Sequence, residues 1–286
     1  MAIVLDNITY TYGMGTPFEK TALRGVSLTI ENGEFLGVIG HTGSGKSTFV
    51  QHLNGLLHPT TGTVTVNGVD ISASTEEAKK MRHKVGMVFQ YPEHQLFEET
   101  IAQDIAFGPK NLGLSAEDVD ERVRDAMKFV GLDYDRYAER SPFHLSGGQM
   151  RRVAIAGVVA MDPDFLVLDE PSAGLDPFGR EEIFEEIIRL HKEKGITVIL
   201  VSHNMEDISR MASRLVVLDK GRIVLDGEPM DIFNNHRDEL QAVGVDVPPV
   251  SVTMEYLREQ GLDVSNRVLS VDDAVQAILE GGNHVK

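Results

Sequence analysis

Four free positions, His41-Thr42-Gly43-Ser44, lie between Gly40 and Gly45, and Lys46, Ser47 and Thr48 follow directly. That spacing suits a loop whose backbone N–H groups close around phosphate oxygens. Gly43 and Gly45 leave no Cβ in the way, and a helix starting near Lys46 adds its positive end. Lys46 is placed to reach the β- and γ-phosphates of a nucleotide, and the Ser47 hydroxyl to ligate Mg²⁺.

Other groups of the right chemistry stand where apolar runs stop. Phe165-Leu166-Val167-Leu168 closes in Asp169-Glu170. A carboxylate at the C-terminal end of a parallel strand beside a phosphate loop can hold Mg²⁺ through water, which suits Asp169. Glu170, one residue farther, can take a proton from an attacking water. Taken alone, such paired acids more often cap a following helix. Gln90 and His203 close two more strand-like runs, at the edge where open α/β sheets bind ligands. The Gln90 amide can bind Mg²⁺ or position water, and His203 can hydrogen-bond a γ-phosphate. The plain alternatives are a loop glutamine and a satisfied strand-end histidine. Leu145-Ser146-Gly147-Gly148-Gln149 is a Gly-rich turn before an apolar helix, which makes sense as an anion-facing helix N-terminus.

The elements needed to position these groups are visible in the periodicity. Residues 1–30 read as paired strands. Glu34–Ile39 is a continuous apolar run of the kind buried on both faces of a parallel sheet, and it feeds into the phosphate loop. Helical spacing follows over Lys46–Leu57, then strands at 62–66 and 85–89. From about 97 to 160 the pattern is helical, with Ser115 before an acidic first turn and Gly131 as a stop. Strand–helix alternation then resumes: strands over Phe165–Leu168, Ile196–Val201 and Leu215–Leu218, helices over Arg180–Leu190 and Met205–Met211. The layout is a parallel α/β core with a helical insertion between its first and second catalytic strands. After Pro248-Pro249 a short helix is expected near Val252–Gln260. A second is capped by Ser270 and stops at Gly281-Gly282.

Bulk properties narrow the partners. The 286 residues include no cysteine, which removes disulfides and thiolate metal sites and fits a reducing compartment. A net charge of −17 argues against nucleic acid, whose phosphates are held by clustered Lys and Arg. No apolar run approaches a bilayer span and no signal peptide is visible, so a membrane role is expected to come through partners.

The phosphate loop combined with Leu145–Gln149 resembles the ATPase subunits of ATP-binding cassette (ABC) systems, over about residues 3–230. The resemblance implies an α/β P-loop NTPase (RecA-like) parallel core with an N-terminal antiparallel β subdomain. It also implies an inserted α-helical signature subdomain at about 97–160 within a nucleotide-binding domain of 1–230. Residues 231–286 would be a small C-terminal helical extension that contributes a dimer contact. The implied cofactors are ATP and Mg²⁺. ATP would be held by Tyr12 (against adenine, with Tyr10 as the competing aromatic), Gly40, His41, Thr42, Gly43, Ser44, Gly45, Lys46, Ser47 and Thr48. Mg²⁺ would fall to Ser47, Gln90 and Asp169, and catalysis to Glu170, His203 and Gln90. Ser146, Gly147, Gly148, Gln149 and Asp176 would serve the nucleotide of a second subunit.

Phe89–Phe97, Asp104–Pro109, Met150–Gly157 and the C-terminal extension look like the ATPases of energy-coupling factor (ECF) transporters, and more like the second, A-prime paralogue. That resemblance implies a heterodimer with a paralogous ATPase, docked on a transmembrane coupling protein at the cytoplasmic face of the membrane. A separate membrane protein would bind the vitamin or metal ion. Tyr91, Pro92, Leu96 and Phe97 would line the docking groove or pack the helical subdomain. A soluble ABC ATPase acting on ribosomes or DNA, and the ATPase of a different ABC transporter, are the competing readings.

Overall fold

The computed structural model describes residues 1–281. The expected helix stop at Gly282 lies outside them. β1 (Ala2–Tyr12) and β2 (Lys20–Glu31) pair antiparallel, with bulges in the register near Ile8 and Tyr10. β3 (Phe35–Ile39) leads through the phosphate loop into α1 (Lys46–Leu53). β4 (Thr61–Val66) and β5 (Val69–Asp70) complete a four-stranded antiparallel sheet of order β2-β1-β4-β5. α2 (Glu76–His83) then precedes β6 (Val85–Val88).

The insertion comprises α3 (Ile101–Asn111), α4 (Ala116–Phe129), α5 (Tyr134–Tyr137) and α6 (Gly147–Val159). Thr100, Ser115, Asp133 and Ser146 cap them, each side chain accepting a backbone N–H of the first turn. Their apolar faces meet around Ile105, Val123, Met127 and Val153, in a core continuous with that of the large sheet.

β7 (Phe165–Asp169), α7 (Pro177–Lys194), β8 (Thr197–Val201), α8 (Met205–Met211), β9 (Arg214–Asp219) and β10 (Arg222–Gly227) finish a six-stranded sheet of order β10-β9-β3-β8-β7-β6. It is parallel except for edge strand β10. Every residue of β3, β6, β7 and β8 is buried, as two-sided coverage demands. β6 and β7 are hydrogen-bonded neighbours, so the inserted helices leave one strand and return to the next. The C-terminal ends of β3, β6, β7, β8 and β9 therefore share one edge, and that edge carries the chemistry.

α9 (Pro229–Asn235) and α10 (Arg237–Ala242) bury Ile232, Phe233 and Leu240 in the main core. The change of core falls near Pro248, against an expected boundary at 231. α11 (Pro249–Glu259) and α12 (Val271–Gly281) close on a small core of their own, Met254, Val264, Val268 and Ala274. The Ser209 hydroxyl donates to the Leu269 carbonyl (3.1 Å) and Arg237 pairs with Glu255, tying this unit to the rest. Val271, Val275 and Leu279 recur at helical spacing on α12 and are exposed.

The helix after the phosphate loop is shorter than its spacing suggests. It stops at Leu53 because Asn54 takes the C-cap and Gly55 turns left-handed (φ 73°), leaving Leu56 exposed. No helix among the described residues is long and apolar enough to cross a membrane.

Candidate nucleotide site

A cavity of about 1200 Å³ opens at the shared strand edge, walled by Tyr12, residues of the phosphate loop, Gln90, Asp169, Glu170 and His203. The loop's glycines are required by its path. At Gly40 a Cβ would lie 2.3 Å from the Leu218 carbonyl oxygen, and at Gly45 (φ 111°) 2.9 Å from that of Ala22. Thr42, Gly43 and Gly45 through Thr48 face the cavity, whereas Gly40, His41 and Ser44 hold the loop from behind. Lys46 is buried, and its Nζ donates to the carbonyls of Gly40 (2.6 Å) and His41 (3.0 Å), which keeps the ammonium under the loop. Burial pushes the Lys46 pKa down, while the carboxylates of Glu170 and Asp169 oppose that shift.

Asp169 ends β7 and is buried, which raises its pKa; a hydrogen bond from Ser47 and the charge of Lys46 pull the other way. Glu170 follows at φ 53°, a left-handed conformation unusual for a residue with a side chain. Burial and then the Asp169 charge push its carboxyl up to about 7. Its Oε1 is buried without a hydrogen-bond partner, and the nearest ring nitrogen, Nε2 of His203, stands 3.4 Å away. His203 is shifted down by burial and by Lys46. The His203 backbone N–H also bonds this carboxylate, so one partly desolvated oxygen beside the phosphate loop is left for a water to satisfy.

Tyr12 lines the same cavity, half-exposed, with its hydroxyl 3.1 Å from Thr48 Oγ1. Tyr10 stands edge-on to Tyr12 and to His52 and packs against the core of the β subdomain. Only Tyr12 of the two is on the wall.

The Gly-rich turn before α6 is elsewhere. Ser146 and Gln149 form a reciprocal cap: Ser146 Oγ accepts from the Gln149 N–H (3.3 Å) and Gln149 Oε1 from the Ser146 N–H (3.1 Å). Ser146, Gly147, Gly148, Gln149 and Asp176 line a second cavity of about 410 Å³, separate from the first. Asp176 caps α7, accepting from Gly179 (2.7 Å). Of the apolar residues after Gln90, Pro92 and Leu96 are buried while Tyr91 and Phe97 remain exposed.

A family model described as ABC transporter matches residues 23–173. The energy-coupling factor transporter ATP-binding protein EcfA2 of Clostridium tetani is 54% identical over 280 residues, 98% of this chain and 97% of that one. Its Clostridium perfringens counterpart is 52% identical, with 98% of each chain covered. The chain belongs to the ATP-binding subunits of energy-coupling factor transporters.

Solved structures agree on the fold. cbiO1 from Clostridium perfringens, described as part of the ABC transporter complex cbiONQ, superposes with a TM-score of 0.73 at 35% identity, covering 84% of this chain and 94% of that one. The ATP-binding cassette MJ0796, in a dimeric post-hydrolysis state with ADP and Pi, gives 0.70 at 32% identity over 79% and 98%. The fold is therefore the α/β P-loop ATPase fold, and this ECF subunit is an ATP-binding, ATP-hydrolysing transport component.

Seen against that chemistry, one residue was not singled out by its motif. Arg151 on α6 is the largest fully buried side chain among the described residues. Its guanidinium forms a two-pronged pair with Glu93 (3.1 and 3.0 Å) and donates to the Pro171 carbonyl (2.9 Å). It thus ties the turn after Gln90 and the turn after Glu170 to the helix that carries Ser146. Tyr91 (φ 56°) and Glu170 (φ 53°), the two left-handed residues other than glycine at those turns, each lie within two positions of a group that Arg151 grips. The available signal was a basic residue inside the apolar spacing of Met150, Val153 and Ala156.

Proposed function

We propose that this subunit hydrolyses ATP at the β-strand edge to drive import through a transmembrane coupling protein, as one half of a heterodimer with a paralogous ATPase. The observation that carries the reading is the convergence of Lys46, Asp169, Glu170 and His203 on one cavity, with one Glu170 carboxylate oxygen left without a partner.

In this reading the loop N–H groups and Lys46 cradle the phosphates, and Tyr12 stacks on the adenine. The hydroxyl, amide and carboxylate oxygens of Ser47, Gln90 and Asp169 suit a hard cation such as Mg²⁺. When bound, that ion supplies positive charge that stabilises the phosphate oxygens. Glu170 accepts a proton from the water that attacks the γ-phosphorus; the bond to the bridging oxygen breaks and its electrons leave with ADP. His203 donates to a γ-phosphate oxygen. Ser146 and its neighbours, facing away from their own chain's cavity, complete the site on the partner, and Asp176 belongs to the loop crossing that interface. A separate membrane protein binds the transported vitamin or metal ion, and the subunit is held at the cytoplasmic face of the membrane by these partners. Tyr91 and Phe97 offer apolar surface to the coupling protein.

Glu170→Gln tests the central role. The variant should bind ATP and accumulate as a nucleotide-closed dimer on gel filtration, with turnover slowed by orders of magnitude. Retention of full turnover would remove Glu170 as the base.

A further inference from the structure

The phosphate loop is held by more than its own glycines. His41 lies outside the cavity wall, and both of its ring nitrogens face acceptors. Nδ1 is 2.7 Å from the Thr42 carbonyl oxygen and Nε2 is 2.9 Å from Asp219 Oδ1. Turning the ring over would put carbon at both positions and lose both partners. Asp219 ends β9, is mostly buried, and itself reaches the cavity wall. The backbone beside it is pressed on the loop from the same side. The Leu218 carbonyl leaves no room for a Cβ at Gly40, and Gly221 N–H donates to the Ser44 carbonyl (2.8 Å). Gly221 is in turn wedged on β2: its carbonyl accepts from Arg24 N–H (2.8 Å), and a Cβ on it would lie 2.4 Å from the Ala22 oxygen. On the outer side, the turn at Gly244 covers His41, where a Cβ would lie 3.9 Å from the His41 Cβ.

We infer that the His41 side chain is a positioning residue, clasping the phosphate loop to Asp219 so that its N–H groups stay aimed at the nucleotide. The inference rests on the reading that this loop binds the phosphates of ATP. It assigns Asp219 a role opposite in sign to its own charge. Asp219 Oδ2 also lies 3.4 Å from the exposed Lys220 ammonium, but as a carboxylate on the wall of an anion site Asp219 repels phosphate, and its neutralisation alone should tighten binding. As the anchor of His41 it keeps the loop in register, and its loss should weaken binding.

The test measures the affinity of the full chain for a non-hydrolysable ATP analogue by calorimetry. Asp219→Asn should weaken binding about tenfold, as expected for one lost charge-assisted hydrogen bond, and His41→Ala about as much. The double variant should bind no more weakly than His41→Ala alone, because the clasp is already open and only the repulsion is relieved. His41→Gln, whose amide nitrogen mimics Nε2, should recover most of the affinity. His41→Asn, which mimics only Nδ1, should not. The glutamine and asparagine variants carry the comparison even if His41→Ala fails to fold. Tighter binding by Asp219→Asn in the otherwise unaltered chain, or additive losses in the double variant, would overturn the clasp. A native chain that binds no analogue at all would instead overturn the ATP reading on which it rests.

Discussion

At Glu170 the demands of folding and of the proposed base chemistry point in opposite directions. The residue sits left-handed, mostly buried, beside Asp169, and its carboxyl is pushed up to about 7 by that burial and that neighbour. The sign of the pH effect follows. Below pH 7 the carboxyl increasingly keeps its own proton and cannot accept one from water; above it the base is available. kcat/KM for ATP, which reports the free enzyme, should therefore fall on the acid side with a limb near pH 7. An acid limb near the ordinary glutamate value of 4.5 would mean that burial and Asp169 do not raise this carboxyl in the working subunit. At this scale much was legible in sequence. The spacing from Gly40 to Ser47 fixes a loop by backbone rules that depend on glycine, and strand-end acids fall where parallel sheets bind ligands. Asp219 and Arg151 were not legible. Their meaning lies in partners far away in the chain, His41 and Glu93, and no local spacing encodes such a pairing.

Among the elements, α6 links the turns that follow Gln90 and Glu170. Its first turn presents Ser146, and one turn on it sends Arg151 into the core to hold Glu93 and the Pro171 carbonyl. Arg151→Met would leave the Glu93 carboxylate, only 14% exposed, without its cation, at a cost of about 3–5 kcal/mol. Adding Glu93→Gln should return a sizeable part of that loss in denaturant unfolding; a second loss on top of the first would show that the pair is not the source. Elements buried on both faces, such as β3, β7 and β8, were readable because a continuous apolar run has few other uses. The caps at Ser115 and Ser270 were readable for a similar reason, since a hydroxyl three residues before a free N–H has a local job. Helices α9 and α10 escaped notice because they are short. Their apolar residues, Ile232, Phe233 and Leu240, serve the main core rather than a face of their own. The early end of α1 turned on Asn54 and Gly55, whose capping overrode the apolar spacing of Leu56 and Leu57.

For the molecule as a whole, the decisive fact is that the phosphate loop and the Ser146 turn line different cavities. On the function proposed above, a single chain presents two unlike half-sites, and a head-to-tail pairing is the arrangement that would join them. Ser146→Arg introduces bulk and a positive charge at one half-site only. The variant chain should keep its own affinity for ATP while the complex loses most activity at the partner's nucleotide, read by ATP turnover with the partner's own base intact. Unchanged turnover in the assembled complex would separate the Ser146 turn from any cross-subunit role. The net charge of −17 fits this picture of recognition by specific surfaces, since it offers no general attraction to polyanions.

The backbone of Glu170 has a longer-term consequence. A left-handed glutamate with an unsatisfied buried oxygen is held there by its surroundings, and an asparagine or glycine would rest there more easily. If Glu170 is the base proposed above, random drift pushes position 170 toward sturdier, inactive residues, and only selection for turnover opposes it. In an assembly with two nucleotide sites, any lineage that comes to need only one of them should lose the base first, while the fold and its partnerships persist.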